Sequence, residues 1–272
     1  MCNASSSICG VYELLLGESE LAKHPWLAAV RGAAKIRNPL KSRYDDMWDP
    51  GMVVGHWATT PARDTATLRA RALSLGALAL YARPSDLERI SRLPAHWQVL
   101  PDKFRFRIRG PKEAKNAAVL SPWIELPFLP PEALDDDNLN CCSCAGRAWK
   151  AYFDQLDADN VQHLPLQAQR YPHGRFLSLT PTPHRGIDGS FHQPLGSQRI
   201  SNIIKGVMTD AGVDTSIFKG GSCRHAGSSE AATGGGDLLR IMSTGRWSSF
   251  KTFKKFYLRA RITAEQRRAA AL

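Results

Sequence analysis

The side chains of this 272-residue chain that could do chemistry separate into a thiol and imidazole set and a cationic set. Cys141, Cys142 and Cys144 bunch in one stretch, but a zinc site wants two separated ligand pairs, and no second Cys or His pair stands at the usual spacing. No metal is therefore expected. His163, His173, His184 and His192 are scattered without ligand spacing and read as surface residues. Cys223 beside Arg224 has the setting of a reactive thiol, yet a small residue inside a helix near a core is the simpler reading. The cationic set is stronger. Lys and Arg number 36 against 25 Asp and Glu, a net charge of +11 that points to a polyanionic partner. From Gln198 to Leu272 there are 13 Lys or Arg and five Asp or Glu, so most of the surplus sits in the last quarter of the chain. That quarter contains three tracts rich in Arg, Lys and aromatics: Phe218-Lys-Gly-Gly-Ser-Cys-Arg-His-Ala, Ile241-Met-Ser-Thr-Gly-Arg-Trp-Ser-Ser and Thr252-Phe-Lys-Lys-Phe-Tyr257.

The elements that must position these tracts are legible from periodicity. Thr65 to Tyr81 carries Leu68, Leu73, Leu75, Leu78 and Leu80 among alanines, which predicts a largely buried helix stopping near Arg83-Pro84. A short helix resumes at Asp86. Phe104, Phe106 and Ile108 alternate with Arg105, Arg107 and Arg109, and after the turn at Gly110-Pro111 the segment Trp123-Ile-Glu-Leu offers a returning strand. A small antiparallel sheet with a basic face is expected. Residues 131 to 146 read as an exposed acidic, Cys-rich loop, followed by a helix near Arg147 to Leu156 and an irregular stretch to Pro194. Helices are then predicted over Gln198 to Ala211, Ser222 to Thr233, Leu238 to Ser243 with Asp237 as cap, and Ser249 to Leu258. The fold class is α+β, a mostly helical domain of about residues 46 to 272 with a small antiparallel sheet. Residues 1 to 45 hold two short apolar patches and a basic connector.

Hydrophobic residues make up 43% of the chain, enough for a real core, which excludes disordered and fibrous classes. No run approaches the roughly 18 to 20 apolar residues of a membrane span, and the start lacks a secretory signal. A soluble, intracellular protein with reduced thiols is expected.

With the three C-terminal tracts in view, the sequence resembles the tyrosine recombinase (phage-type integrase) family, especially the versions carried by eukaryotic mobile elements. That family opens one helix with a His-x-x-Arg box, follows it about twenty residues later with a His or Trp, and places a nucleophilic Tyr about ten residues beyond. Arg224, Trp247 and Tyr257 stand at those positions. Upstream, Ala82-Arg83-Pro-Ser-Asp86-Leu87 matches the pattern that carries the family's first arginine after a leucine-rich helix. Gly110-Pro-Lys112-Glu-Ala-Lys115 lies where the family has a lysine on a β-hairpin, with Lys112 preferred and Lys115 the alternative. The matches run in family order from about Trp48 to Arg259. Singly, Arg83 could be a helix cap and Trp247 or Tyr257 core aromatics; together their order and spacing favour the functional reading.

The resemblance implies a catalytic domain that breaks and rejoins DNA in site-specific recombination or integration of a mobile element. Arg83 and Arg224 would grip phosphate oxygens, since planar, permanently charged guanidinium groups suit a phosphorane-like state. Tyr257 would form a 3′-phosphotyrosyl bond, Lys112 would protonate the departing 5′-oxygen, and Trp247 would add packing and one N–H donor. No cofactor is required, because the phosphotyrosine conserves the bond energy. The partner would be double-stranded DNA, contacted also by Arg105, Arg107, Lys219 and Lys251, with the protein working as a tetramer, in the nucleus if the host is a eukaryote. Residues 1 to 45 would be the remnant of the family's core-binding region.

One position departs from the family. Gly221 stands where the His of His-x-x-Arg belongs and supplies no side chain. Lys219 and His225 are the nearest substitutes, but His225 follows Arg224 directly, and on a helix it should point roughly 100° away. Gly221 also keeps a second reading open, a catalytically decayed recombinase that only binds DNA. A third is a type IB topoisomerase-like relaxing enzyme.

Overall fold

The structure, a computed structural model, describes residues 24–37, 44, 46–90, 94–110, 120–130, 143–158, 179–181 and 192–258. The chain divides into a unit of Met1–Arg43, which holds helix α1 (Pro25–Arg37), and a unit of Tyr44–Leu272. The second unit contains α2 (Gly51–Thr59), α3 (Thr65–Ala79), α4 (Pro84–Leu87), β1 (Trp97–Val99), β2 (Lys103–Phe106), β3 (Ile124–Pro127) and α5 (Ala145–Ala158). It continues with β4 (Leu179–Pro181), β5 (His192–Pro194), α6 (Ser197–Asp210), α7 (Cys223–Thr233), α8 (Leu238–Gly245) and α9 (Phe250–Phe256). The class is α+β, mostly helical with a small three-stranded antiparallel sheet, as the sequence predicts. Among the described residues no helix is long and apolar enough to cross a membrane.

Helix α3 is the axis of the second unit. Asp64 starts it: its Oδ1 accepts hydrogen bonds from the backbone N–H groups of Ala66 (2.8 Å) and Thr67 (2.9 Å), and the Asp64 N–H donates to the Thr67 hydroxyl. These bonds favour the carboxylate and hold its pKa below the ordinary value. Leu68, Ala72, Leu73, Leu75, Ala77 and Leu78 are all buried, because α5, α6 and α7 pack around the helix on different sides. Two glycines set those close approaches. A Cβ on Gly76 would collide with the Trp149 indole of α5, and one on Gly227 of α7 would meet the Leu78 carbonyl at 2.5 Å. Two long-range side-chain hydrogen bonds tie this layer: the Trp57 indole N–H donates to Ser74 Oγ at 2.8 Å, and that of Trp48 to Ser222 Oγ at 2.9 Å.

The sheet has the order β1-β2-β3, with Trp97 opposite Phe106 and Phe104 opposite Leu126. Its alternation works as expected. Phe104 and Phe106 are fully buried against Trp149 and Phe153 of α5, with ring centroids 5.2 to 5.6 Å apart. Arg105 and Arg107 leave the other face, where both guanidinium groups lie over Trp123 at 4.6 and 4.8 Å. The strand itself is shorter than the alternation, and its continuation forms isolated bridges, Ile108 to Ile90 and Arg109 to Leu120.

Helices α5 to α9 start or end within about two residues of the expected bounds, an ordinary uncertainty. Three differences go further. The predicted long helix stops at Ala79, since Tyr81 takes a left-handed conformation (φ 49°) that ends it before Pro84 is reached. Helices α1 and α2 and strand β1 fall in segments read as connector or left unassigned. The irregular stretch before Pro194 contains the antiparallel pair β4 and β5.

Candidate active site

Helices α4, α7, α8 and α9 bring Arg83, Arg224, Trp247 and Tyr257 to one place. Arg83 is the N-cap of α4, with Pro84 in the first helical position, where its missing N–H costs nothing. The backbone N–H of Arg83 donates to Asp86 Oδ2 at 3.0 Å, and its Nη1 lies 3.6 Å from the same oxygen. Asp86 is completely buried, and Arg246 Nη2 also reaches its Oδ2, at 2.7 Å. One inaccessible carboxylate thus fixes two guanidinium groups, of Arg83 and Arg246, that are distant in sequence.

Arg224 is 2% exposed although it carries a permanent charge. Its Nη1 donates to the carbonyl of Tyr81 and its Nη2 to that of Gly245 at 2.6 Å. Both carbonyls belong to chain reversals just past helices, where unpaired carbonyls concentrate and a cation is favoured. The guanidinium lies over the Trp247 ring at 3.9 Å and 5.2 Å from the centre of the Tyr257 ring. Burial and the nearby charge of Arg83 push the Arg224 pKa down to about 10, with Tyr257 and Asp86 pulling it back up. It remains a cation at neutral pH.

Trp247 follows a tight reversal. Arg246 adopts a left-handed conformation (φ 56°, ψ 47°) at the end of α8, a geometry that costs a non-glycine residue about 1 to 2 kcal/mol. Gly245 must be glycine, because a Cβ there would run into the Trp247 ring, with one ring carbon at 2.7 Å. The Trp247 indole is 9% exposed, packs 4.8 Å from Phe253 and 4.8 Å from Tyr257, and has a buried N–H with no hydrogen-bond partner among the described residues.

Tyr257 ends α9, which Ser249 caps through a hydrogen bond from the Thr252 N–H. The Tyr257 carbonyl accepts a 2.6 Å hydrogen bond from Ser229 of α7, so both its ring and its backbone are anchored to that helix. Arg83, Arg246, Trp247, Ser248, Thr252 and Tyr257 line an open pocket of about 280 Å³. The lining is chemically suited to a phosphodiester: guanidinium donors, an indole donor, hydroxyls, and a phenol at the edge.

His225 and Arg224, adjacent on α7, both meet the Tyr257 ring. The imidazole stacks on the Tyr257 ring with centroids 4.5 Å apart and planes at 24°, and Tyr44 meets its edge at 5.4 Å. Gly221 lies in the short 3-10 turn before α7, and a Cβ there would have nothing within 4 Å. Lys219 folds back on its own turn, its ammonium donating to the carbonyls of Thr215 (3.4 Å) and Ser216 (3.2 Å). Lys251 is exposed on α9. Arg105 and Arg107 belong to the sheet, where Arg105 also donates to Gln98 Oε1 at 2.9 Å. Lys112 and Lys115 lie outside the described residues, as do Cys141 and Cys142. Cys223 is wholly buried, and burial pushes its thiol up to about 12, which makes it unreactive.

Sequence reasoning missed Arg246 as a pocket residue and Asp86 as the group shared by two arginines. A signal for the first was present: a cation directly before Trp247 at the end of a predicted helix. Nothing local marked Asp86 as a partner for residue 246.

No family model matches the sequence, and no curated protein matches it significantly. Among solved structures, the chain is similar to XerH site-specific recombinase bound to difH substrate in a pre-cleavage complex, with a TM-score of 0.47 and 10% identity over 85% of this chain and 55% of that one. It is similar also to the post-cleavage complex of XerH with palindromic difH, with a TM-score of 0.45 and 10% identity over 84% of this chain and 52% of that one. The chain spans about half the length of these structures.

Proposed function

We propose that the chain breaks and rejoins double-stranded DNA by transesterification, with Tyr257 as the nucleophile. The observation that carries this reading is the packing of Tyr257 against Arg224 and Trp247 at the edge of a pocket that Arg83 also lines. These are four residues singled out by the resemblance to tyrosine recombinases, and they come from helices far apart in sequence. In the step itself the Tyr257 oxygen bonds to phosphorus as its proton leaves, and the bond from phosphorus to the 5′-oxygen breaks as that oxygen takes up a proton. Nothing is oxidised or reduced, and religation reverses each change.

The arginines supply positive charge to non-bridging oxygens that gain negative charge in the transition state, and the N–H of Trp247 supplies a neutral donor. Lys112, from the resemblance alone, is the acid for the 5′-oxygen. Site-specific recombination or integration of a mobile element, carried out by several copies on two duplexes, is the biological setting that the resemblance favours. Arg105, Arg107 and Lys251 are candidates for phosphate contacts that set register without reading sequence.

The test is covalent trapping on randomised-sequence duplexes carrying a nick beside each possible scissile phosphate, so that the cleaved fragment diffuses away. A protein–DNA adduct on a denaturing gel, absent with Tyr257→Phe, is expected. Gly221 favours a second reading, DNA binding without chemistry. Salt-dependent binding by both proteins with no adduct from either would establish that reading instead.

A further inference from the structure

The pocket holds a cation that the resemblance does not supply. Arg246 lines it beside Arg83 and Trp247, although the left-handed backbone at φ 56° is one that glycine would adopt without strain. The side chain is oriented rather than loose: its Nη2 is held at 2.7 Å by Asp86, which is wholly buried and also pairs with Arg83. A guanidinium has five N–H donors in a rigid plane, a geometry that matches phosphate oxygens. Gly221, meanwhile, offers no side chain, and a Cβ there would face open space.

We propose that Arg246 is a third phosphate-binding guanidinium, contacting a non-bridging oxygen of the scissile phosphodiester and supplying the donor that Gly221 lacks, with Asp86 as the residue that positions it. This rests on the reading of Tyr257 as nucleophile. The role is electrostatic, so no proton or bond changes hands at Arg246.

The experiment compares the wild type, Arg246→Gly and Arg246→Lys on two nicked substrates. One has a natural scissile phosphate. The other has a methylphosphonate there, which lacks one charged oxygen. Glycine suits the local backbone and removes only the side chain, while lysine keeps the charge but loses the planar donor pair; thermal melting of each variant reports folding. On the natural phosphate, adduct formation should fall about 10² to 10³-fold in Arg246→Gly, the loss typical of one preorganised donor, and less in Arg246→Lys. On the methylphosphonate the defect should shrink to below about tenfold, because the oxygen that needs the charge is gone. A role confined to holding Asp86 and the α8 turn would lower both rates alike. Equal losses on the two substrates, or wild-type rates in Arg246→Gly, overturn the assignment while leaving Tyr257 as nucleophile. No adduct from the wild type on either substrate overturns the nucleophile and this assignment together.

Discussion

Replacing Arg224 with alanine should damage the fold as well as the proposed chemistry, and the size of the damage follows from its contacts. The guanidinium donates to two carbonyls, of Tyr81 and Gly245, and lies 3.9 Å over Trp247. Charge-assisted hydrogen bonds contribute about 1.5 to 3 kcal/mol each, and a desolvated cation over an aromatic ring about 2. Against these stands the cost of keeping a charge at 2% exposure, visible in a pKa pushed down to about 10, which alanine removes. The net loss should be about 3 to 5 kcal/mol, as when one partner of a buried polar set is deleted. For a unit of this size that lowers the melting temperature by roughly 10 °C. Urea and thermal unfolding of the wild type, Arg224→Ala and Arg224→Lys measure it. Lysine retains a cation, but its single nitrogen cannot span both carbonyls, so it should recover about half the loss. The sign of the pH dependence is also fixed. The folded state binds this proton less tightly than the unfolded state, whose arginine keeps its ordinary, higher value, so the cost is present in full below about pH 10 and fades as the pH rises above it. The Arg224→Ala difference should therefore be flat from pH 6 to 9, where both states hold the proton. A loss below about 1 kcal/mol would refute the role assigned to the two carbonyl bonds.

Gly76→Ala forces a methyl group into the Trp149 indole between α3 and α5, and unfolding in urea should show a loss of about 1 to 3 kcal/mol. Cys223 should resist thiol reagents in the native protein at pH 8 and react only as fast as the protein unfolds, which timed labelling with a chromogenic disulfide reports. Gly221→His meets no atom within 4 Å at its Cβ, so stability should change by less than about 0.5 kcal/mol. The same substitution should raise the rate of adduct formation in the trapping assay if the proposed chemistry holds, since it returns a donor to the position where the family that the sequence resembles carries one.

The periodic features of the fold were legible because burial imposes them directly. The Phe and Arg alternation of β2 follows from one face packing on α5, and the apolar spacing of α6 from Ile200, Ile204 and Met208 facing the core. Arg83, Arg224, Trp247 and Tyr257 were legible as a set only through the resemblance to a family's order of motifs, since each alone passes for a cap or a core aromatic. What escaped depends on contacts distant in sequence. Asp86 looks like an ordinary helix-start acid until Arg246 reaches it, and His225 looks misdirected until Tyr257 is placed beside it. The turn at Arg246 was hidden for a local reason. A left-handed helix end normally announces itself with glycine or asparagine, and here an arginine occupies it while the glycine lies one residue earlier.

Tyr257 leans on Arg224, Trp247 and His225 of its own chain, and its carbonyl is tied to Ser229 of the same chain. On the proposed reading, a copy folded in this way would deliver Tyr257 to its own Arg83 and Arg224 rather than lend it to a neighbour. Cleavage would then be counted per copy: mixing Tyr257→Phe with an Arg83 variant should regenerate no adduct, because neither borrows what the other retains. Cooperation between copies would be confined to choosing the site, timing the cut and exchanging the strands.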